Sequence, residues 1–138
     1  MADSPPLNLP ALHDQGFEAS ADLHERTLTL HFKGSAELHI CDALGPLLTQ
    51  AHQEALRLGA TEVQVDLEQL QFITSSCLKR FVTWLGQLKG SAQKPYAIRF
   101  VLNPRFHWQK ASLAALKNFA PEVVTLQPTE PLPPGGIA

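Results

Sequence analysis

Three consecutive hydroxyl side chains, Thr74, Ser75 and Ser76, stand where a predicted loop gives way to a helical pattern of apolar residues. The first backbone N–H groups of a helix have no intrahelical acceptor, and the helix dipole places partial positive charge there. A phosphate group on such a hydroxyl would find ready hydrogen-bond donors and would add about −1.5 to −2 units of charge. The triplet is therefore a candidate for a phosphate-controlled surface.

The same residues also have a purely structural interpretation. Ser and Thr are common helix N-caps, and a cap alone contributes about 1 kcal/mol. Cys77, directly after the triplet, is either a reactive thiol, because a helix start lowers a thiol pKa, or simply a packed residue. Since Cys41 and Cys77 lack metal-ligand spacing, we expect both to be free thiols in or near the core, as in a reducing compartment.

Other chemistries find no support in the sequence. No HxxxH or HExxH pair, no GxSxG elbow and no phosphate-binding glycine loop is present. The sequence therefore predicts no metal site, no cofactor and no catalytic residue. Most of the six histidines are expected on the surface or in loops: His13, His24, His31, His39, His52 and His107.

Hydrophobic periodicity predicts the elements around the triplet. Alternating apolar residues indicate strands, and apolar residues at i, i+3, i+4 and i+7 indicate amphipathic helices. The predicted elements are strands over 17–23 and 26–33, a helix over 42–58, a strand over 62–67, a loop over 70–74, a helix from 75, a strand over 96–102, a helix over 107–119 and a strand over 122–126. Asp42 is the predicted cap of the first helix, with Pro46 in its first turn and Gly59 at its end.

This order, β-β-α-β-α-β-α-β, predicts an α/β fold with a mixed sheet. The strands that alternate with helices are expected to be parallel, and the first two to form an antiparallel hairpin, with amphipathic helices as cover. The predicted domain spans 15–127. A flexible N-terminal arm over 1–14 and a Pro/Gly-rich flexible tail over 128–138 are expected to flank it.

Composition narrows the possible partners. The chain has 138 residues, a formal net charge of −2 and no run of Lys or Arg, which argues against nucleic-acid binding. No segment approaches the roughly 18 apolar residues of a membrane span, and the start does not resemble a secretory signal. We therefore expect a cytoplasmic protein without a membrane span.

The segment VDLEQLQFITSSCL, residues 65–78, joins an apolar strand to the start of the predicted helix. It resembles the central signature of STAS domains, of which bacterial anti-sigma factor antagonists are the best-known members, and the element order is similar over most of the chain. Thr74 stands where these domains usually have Asp, and Cys77 where they usually have Gly. The Thr-Ser-Ser triplet is also similar to that of the SiaC-type phosphoproteins.

The resemblance implies a non-enzymatic partner switch controlled by reversible phosphorylation. The antagonist pattern implies Ser75 as the phosphorylated residue, and the SiaC pattern implies Thr74. The implied partners are an anti-sigma factor or a kinase-like ATPase, together with a Ser/Thr phosphatase. The alternative is a constitutive STAS accessory or scaffold subunit, for example of an ABC transporter, that works without phosphorylation.

The predicted helix from residue 75 outlines a surface for such a partner. The residues expected to contact the partner follow the phosphorylation candidates along the helix: Ser76, Cys77, Lys79, Arg80 and Thr83. Trp84 is either part of the core or an exposed aromatic anchor. Because charged helix faces are often merely solvated, the same residues are also compatible with an ordinary exposed face.

Overall fold

The elements follow the predicted order, with one additional strand at the beginning. The computed structural model describes residues 9, 11–91 and 95–127. The strands are β1 Leu12–Asp14, β2 Phe17–His24, β3 Thr27–Ala36, β4 Glu62–Ile73, β5 Ala97–Val101 and β6 Val124–Gln127, and the helices are α1 Leu38–Arg57, α2 Ser75–Lys89 and α3 His107–Phe119. Within the described ranges no helix is long and apolar enough to cross a membrane.

The strands form one six-stranded sheet in the order β1-β2-β3-β4-β5-β6. The pairs β1–β2 and β2–β3 are antiparallel, and the three later pairs are parallel. This confirms the mixed sheet with an N-terminal hairpin. Leu12–Asp14 pair with β2 as an edge strand, although the sequence placed them in a flexible arm. The predicted tail over 128–138 lies outside the described residues.

The first helix starts earlier than the sequence indicated. α1 begins at Leu38 after the N-cap position Glu37, so Asp42 lies inside the helix with a fully exposed side chain and does not cap it. Pro46 is likewise interior rather than in the first turn. Proline has no backbone N–H, so the carbonyl of Asp42 has no helical donor from this position.

The fourth strand is longer than predicted. β4 continues to Ile73, so residues 70–73 are strand and not loop. They pair in parallel with the end of β3, with Phe72 opposite Ser35 and Ile73 opposite Ala36. The pairing takes up two extra residues of β4. His31 to Lys33 is two steps against three from Asp66 to Gln69, and Gly34 to Ser35 is one step against two from Leu70 to Phe72.

The core lies between one face of the sheet and the three helices. Every second residue of the central strands is buried, as in Leu28 and Leu30 of β3, which are 0% and 1% exposed. The helices contribute their apolar stripes, and a chain of ring contacts joins Phe32 to Phe81 and Phe81 to Phe100. This layering leaves the start of α2 at the edge where the parallel strands end.

Candidate functional site

The start of α2 lies beside the carboxyl ends of β3 and β4. These strands end side by side, and the backbone N–H of Thr74 donates to the carbonyl of Ala36 at 3.0 Å. The Thr74 hydroxyl accepts a hydrogen bond from the backbone N–H of Cys77 at 3.2 Å, which makes Thr74 the N-cap of α2. The structural interpretation of the triplet therefore holds for Thr74.

Ser75 and Ser76 form the exposed part of the triplet. Both side chains are exposed, whereas Thr74 is half-buried. The first turn of α2 contains no acidic residue, so no carboxylate there neutralises the positive end of the helix dipole. The two serines thus present hydroxyls to solvent at a helix start suited to an anion.

The cysteines contradict the expectation of free thiols. Cys41, in the first turns of α1, and Cys77, in the first turn of α2, form a disulfide with Cα atoms 4.8 Å apart and a sequence separation of 36. The Sγ atom of Cys41 also lies 3.6 Å from the hydroxyl oxygen of Thr74. Sequence spacing did not indicate the pair, because only the packing of α1 against α2 brings the two helix starts together.

The structure also corrects the inclusion of Cys77 among the partner-binding residues. Its side chain is 0% exposed and bonded to Cys41. A partner that approaches from solvent therefore cannot touch the sulfur atom.

Two large apolar side chains are exposed at the same edge. Leu38, the first residue of α1, is 68% exposed, and Phe72, one residue before the end of β4, is 47% exposed. They belong to the two chain segments that meet at the start of α2. We call Leu38, Phe72, Ser75 and Ser76 the α2-start surface. Apolar groups left in water beside polar ones are typical of a protein-binding surface.

Side chains from α3 and the loop before it hold the last part of β4. The ladder between β4 and β5 stops at Asp66, so the carbonyls further along β4 need other donors. Gln109, which is fully buried, donates to the carbonyls of Leu67 and Leu70 at 2.8 and 2.9 Å. Two more side-chain donors continue this row at 2.9 Å, Asn103 to the carbonyl of Glu68 and Trp108 to the carbonyl of Gln71.

Sequence reasoning missed these positioning residues. The available signal was Gln109 itself, which is a polar residue on the apolar stripe of α3, four positions before Leu113. A buried glutamine needs hydrogen-bond partners, and here they are the β4 carbonyls that lead to the α2-start surface.

No protein-family profile and no curated protein matches the chain. Among solved structures, an anti-sigma factor antagonist from Mycobacterium paratuberculosis superimposes with a TM-score of 0.62 at 14% sequence identity, over 82% of this chain and 86% of that chain. The anti-sigma factor antagonist SpoIIAA in its unphosphorylated form gives a TM-score of 0.50 at 18% identity, over 67% of this chain and 79% of that chain. The chain has the STAS fold.

Three further residues predicted to contact a partner lie beyond the start of α2 in this STAS fold. Lys79, Arg80 and Thr83 are all exposed. Arg80 lies 3.7 Å from the carboxylate of Asp42, and together with Thr83 it lines a cleft of about 490 Å³ between α1 and α2. Arg80 and Thr83 therefore lie on the part of α2 that borders α1, whereas Lys79 lies one turn after Ser75.

Trp84 belongs to the core. It is 2% exposed, and its indole N–H donates to the Tyr96 hydroxyl at 2.7 Å. The same hydroxyl forms a hydrogen bond with Nδ1 of His52 at 2.6 Å. Burial raises the pKa of Tyr96 and lowers the pKa of His52, so the phenol stays protonated and the imidazole neutral. Trp84 is therefore not an anchor for a partner.

A second polar cluster lies on the solvent-facing side of the sheet. His31 is placed between two carboxylates, with Nε2 at 2.8 Å from Asp22 and Nδ1 at 3.1 Å from Asp66. Partial burial by itself lowers the pKa of His31, but the two carboxylates outweigh it and the net pKa is raised. Among the residues that the structure describes, no group of three or more His, Cys, Asp or Glu side chains is arranged to hold a metal ion.

Proposed function

We propose that this chain is a non-enzymatic regulatory domain that binds a partner protein through the α2-start surface and is switched by phosphorylation of Ser75. The observation that carries the proposal is the exposed Ser75 hydroxyl at a helix start, among the exposed apolar side chains of Leu38 and Phe72. The fold shared with structures of anti-sigma factor antagonists supports a regulatory role. Under this proposal the protein is cytoplasmic, and its partners are an anti-sigma factor or kinase-like ATPase and a Ser/Thr phosphatase.

The local geometry supports Ser75 over Thr74 as the phosphate acceptor. The Thr74 hydroxyl is half-buried and already accepts the N–H of Cys77. Its phosphorylation would require that hydroxyl to leave the cap. Ser75 is the first residue of α2, its side chain is exposed, and the cap of the helix does not depend on it.

Phosphorylation of Ser75 would change the surface more than the fold. The phosphate would lie near the unpaired N–H groups of the first turn, and Lys79 follows four residues later on the same helix. The unmodified surface presents neutral hydroxyls and apolar groups. A partner that covers it would have to desolvate the added charge, which is costly without a matching cation. The modified form would therefore bind this partner less tightly.

The first test is to identify the modified residue. The full chain is incubated with Mg-ATP and candidate kinases from its genome neighbourhood, and the phosphosite is located by mass spectrometry. We expect modification of Ser75, which Ser75→Ala abolishes and Ser76→Ala retains. Modification of Thr74 alone, or of no residue in 74–76, would contradict the assignment.

The second test compares partner binding by two variants that carry the same added charge. Ser75→Asp places the charge on the α2-start surface, and Ser20→Asp places it on exposed β2. By titration calorimetry with the partner, we expect Ser75→Asp to weaken binding at least about tenfold, or about 1.4 kcal/mol, and Ser20→Asp to have little effect. Equal binding by both would instead favour the constitutive accessory subunit.

A further inference from the structure

The disulfide between Cys41 and Cys77 lies directly beneath the α2-start surface. We propose that these cysteines form a reversible thiol–disulfide switch that controls how easily the first turn of α2 opens. The inference uses the reducing location given in the proposed function, because disulfides in such compartments are usually transient or redox-sensing. It does not require phosphorylation of Ser75.

Both redox states fit the same backbone. In the structure the two sulfurs are bonded, and the Cα separation of 4.8 Å lies in the usual range for a bridge. The Cys77 sulfur lies 3.4 Å from the carbonyl oxygen of Glu37, and the Cys41 sulfur lies 3.6 Å from the Thr74 hydroxyl oxygen, so each thiol formed on reduction has a hydrogen-bond acceptor beside it. The backbone therefore suits both states, and because both sulfurs are buried, glutathione reaches them when the two helix starts open together.

The bond changes what the two helix starts can do independently. Helix ends open locally more readily than helix centres. The disulfide ties the first turns of α1 and α2 together across a sequence separation of 36, so in the oxidised state neither turn can open alone. Since the Thr74 cap and Ser75 lie on the tied turn, oxidation holds the α2-start surface in one arrangement, and reduction releases it.

The chemistry requires a small-molecule disulfide as oxidant and a thiol as reductant. Cys41 is 4% exposed and Cys77 is 0% exposed, so the Cys41 thiolate is the first to meet the oxidant. It breaks the S–S bond of oxidised glutathione, forms a mixed disulfide and releases one reduced glutathione. The Cys77 thiolate then attacks the Cys41 sulfur and releases the second. The two cysteine protons pass to the two released thiolates, and excess thiol reverses both steps.

The experiment measures the redox state and local opening on the folded full chain. The protein is equilibrated with oxidised or reduced glutathione and alkylated, and the intact mass is determined. Hydrogen exchange is then followed at the backbone amides of Cys77 and Leu78, which donate to the hydroxyl and the carbonyl of Thr74. We expect the bond to form and to break without denaturant, and exchange at these two amides to slow at least about tenfold on oxidation. Exchange within α3, His107–Phe119, serves as the internal reference and should stay constant.

Two matched variants complete the test. Cys41→Ser and Cys77→Ser should lose the response to glutathione, and the amides of residues 77 and 78 should exchange as in the reduced protein. The proposal is overturned if no bond forms, if the bond breaks only after denaturation as a permanent structural disulfide would, or if it forms without changing exchange at these two amides. Each of these readouts is independent of any kinase or partner, so a failed phosphorylation test leaves the switch intact, and a failed switch leaves the phosphosite intact.

Discussion

Adjacent hydroxyls at the start of α2 differ because the fold uses only one of them. Thr74 is held by its hydrogen bond to the backbone N–H of Cys77, and Ser75 next to it is exposed. A residue that stabilises the fold through its side chain is poorly placed to be modified without cost. Thr74 therefore has a structural role, whereas the side chain of Ser75 is accessible from solvent.

Gln109 is a residue-scale test of how the site is positioned. Gln109→Leu would leave the carbonyls of Leu67 and Leu70 and the backbone N–H of Asn103, which donates to Gln109 Oε1 at 2.8 Å, without these partners. Each buried polar group left unpaired costs about 1–3 kcal/mol, so we expect the free energy of unfolding to fall by about 3 kcal/mol or more. Urea denaturation measures the loss.

The control for this variant is Asn118→Ala, which changes an exposed side chain on the same helix. It should alter the free energy of unfolding by no more than about 0.5 kcal/mol. A Gln109→Leu protein as stable as this control would show that the β4 carbonyls do not depend on Gln109.

At the scale of elements, two irregularities bend the ladder between β3 and β4 as it approaches the site. The register shifts between His31 and Lys33 and again between Gly34 and Ser35, each time with one extra residue in β4. Gly34 has a φ of 97°, and a Cβ there would collide with the backbone carbonyl of Gly16. That carbonyl accepts the N–H of Ser35 at 2.8 Å, so the close approach is part of the bend.

Two glycine substitutions test this account with opposite signs. Gly34→Ala should lower the free energy of unfolding by more than about 2 kcal/mol, because it combines a positive φ with a backbone collision. Gly86→Ala lies within α2, where a Cβ meets nothing within 4 Å, and should raise it by about 0.5–1 kcal/mol. Thermal and urea denaturation measure both. Similar effects at the two positions would refute the role of Gly34 in the bend.

At the scale of the whole molecule, two histidines on opposite sides of the sheet give stability opposite pH dependences. His31, between Asp22 and Asp66, has a raised pKa, and His52, beside the Tyr96 hydroxyl, has a lowered pKa. Folding stabilises the charged form of His31 and the neutral form of His52. The stabilisation from His31 is lost above about pH 6.5 and that from His52 below it, so together they favour stability near this pH.

For His31, the raised pKa means that its stabilisation is complete below the ordinary value of about 6.5 and is lost as the pH rises through the higher folded value. His31→Gln should therefore lower the free energy of unfolding more at about pH 6 than at about pH 8.5. Urea titrations of both proteins at the two pH values give this difference. A cost independent of pH would exclude the double carboxylate contact as its source.

For His52 the pH dependence of stability has the opposite sign. Its lowered pKa means that its stabilisation is present above about pH 6.5 and is lost as the pH falls toward the lower folded value. His52→Gln should then cost more at about pH 8 than at about pH 5.5. The same titrations serve as the measurement, and a larger cost in acid would contradict a neutral imidazole at His52.

The sequence by itself determined the elements whose pattern is local. The helix α3 spans His107–Phe119 as predicted, and α2 begins at Ser75 as predicted, because apolar spacing and a cap act within a few residues. The alternation of strands and helices likewise determined the mixed sheet, since crossover connections leave few topologies. The candidate hydroxyls were identified from the same local signals.

Only the tertiary structure decided the features that depend on distant partners. β4 extends to Ile73 because the end of β3 pairs with it. Cys41 bonds to Cys77 because α1 packs beside α2. The same packing buries Cys77 and leaves Ser75 exposed. Hydrogen-bond ladders, disulfides and burial depend on contacts between residues far apart in the chain. A local sequence pattern does not indicate which distant residue will pack against it.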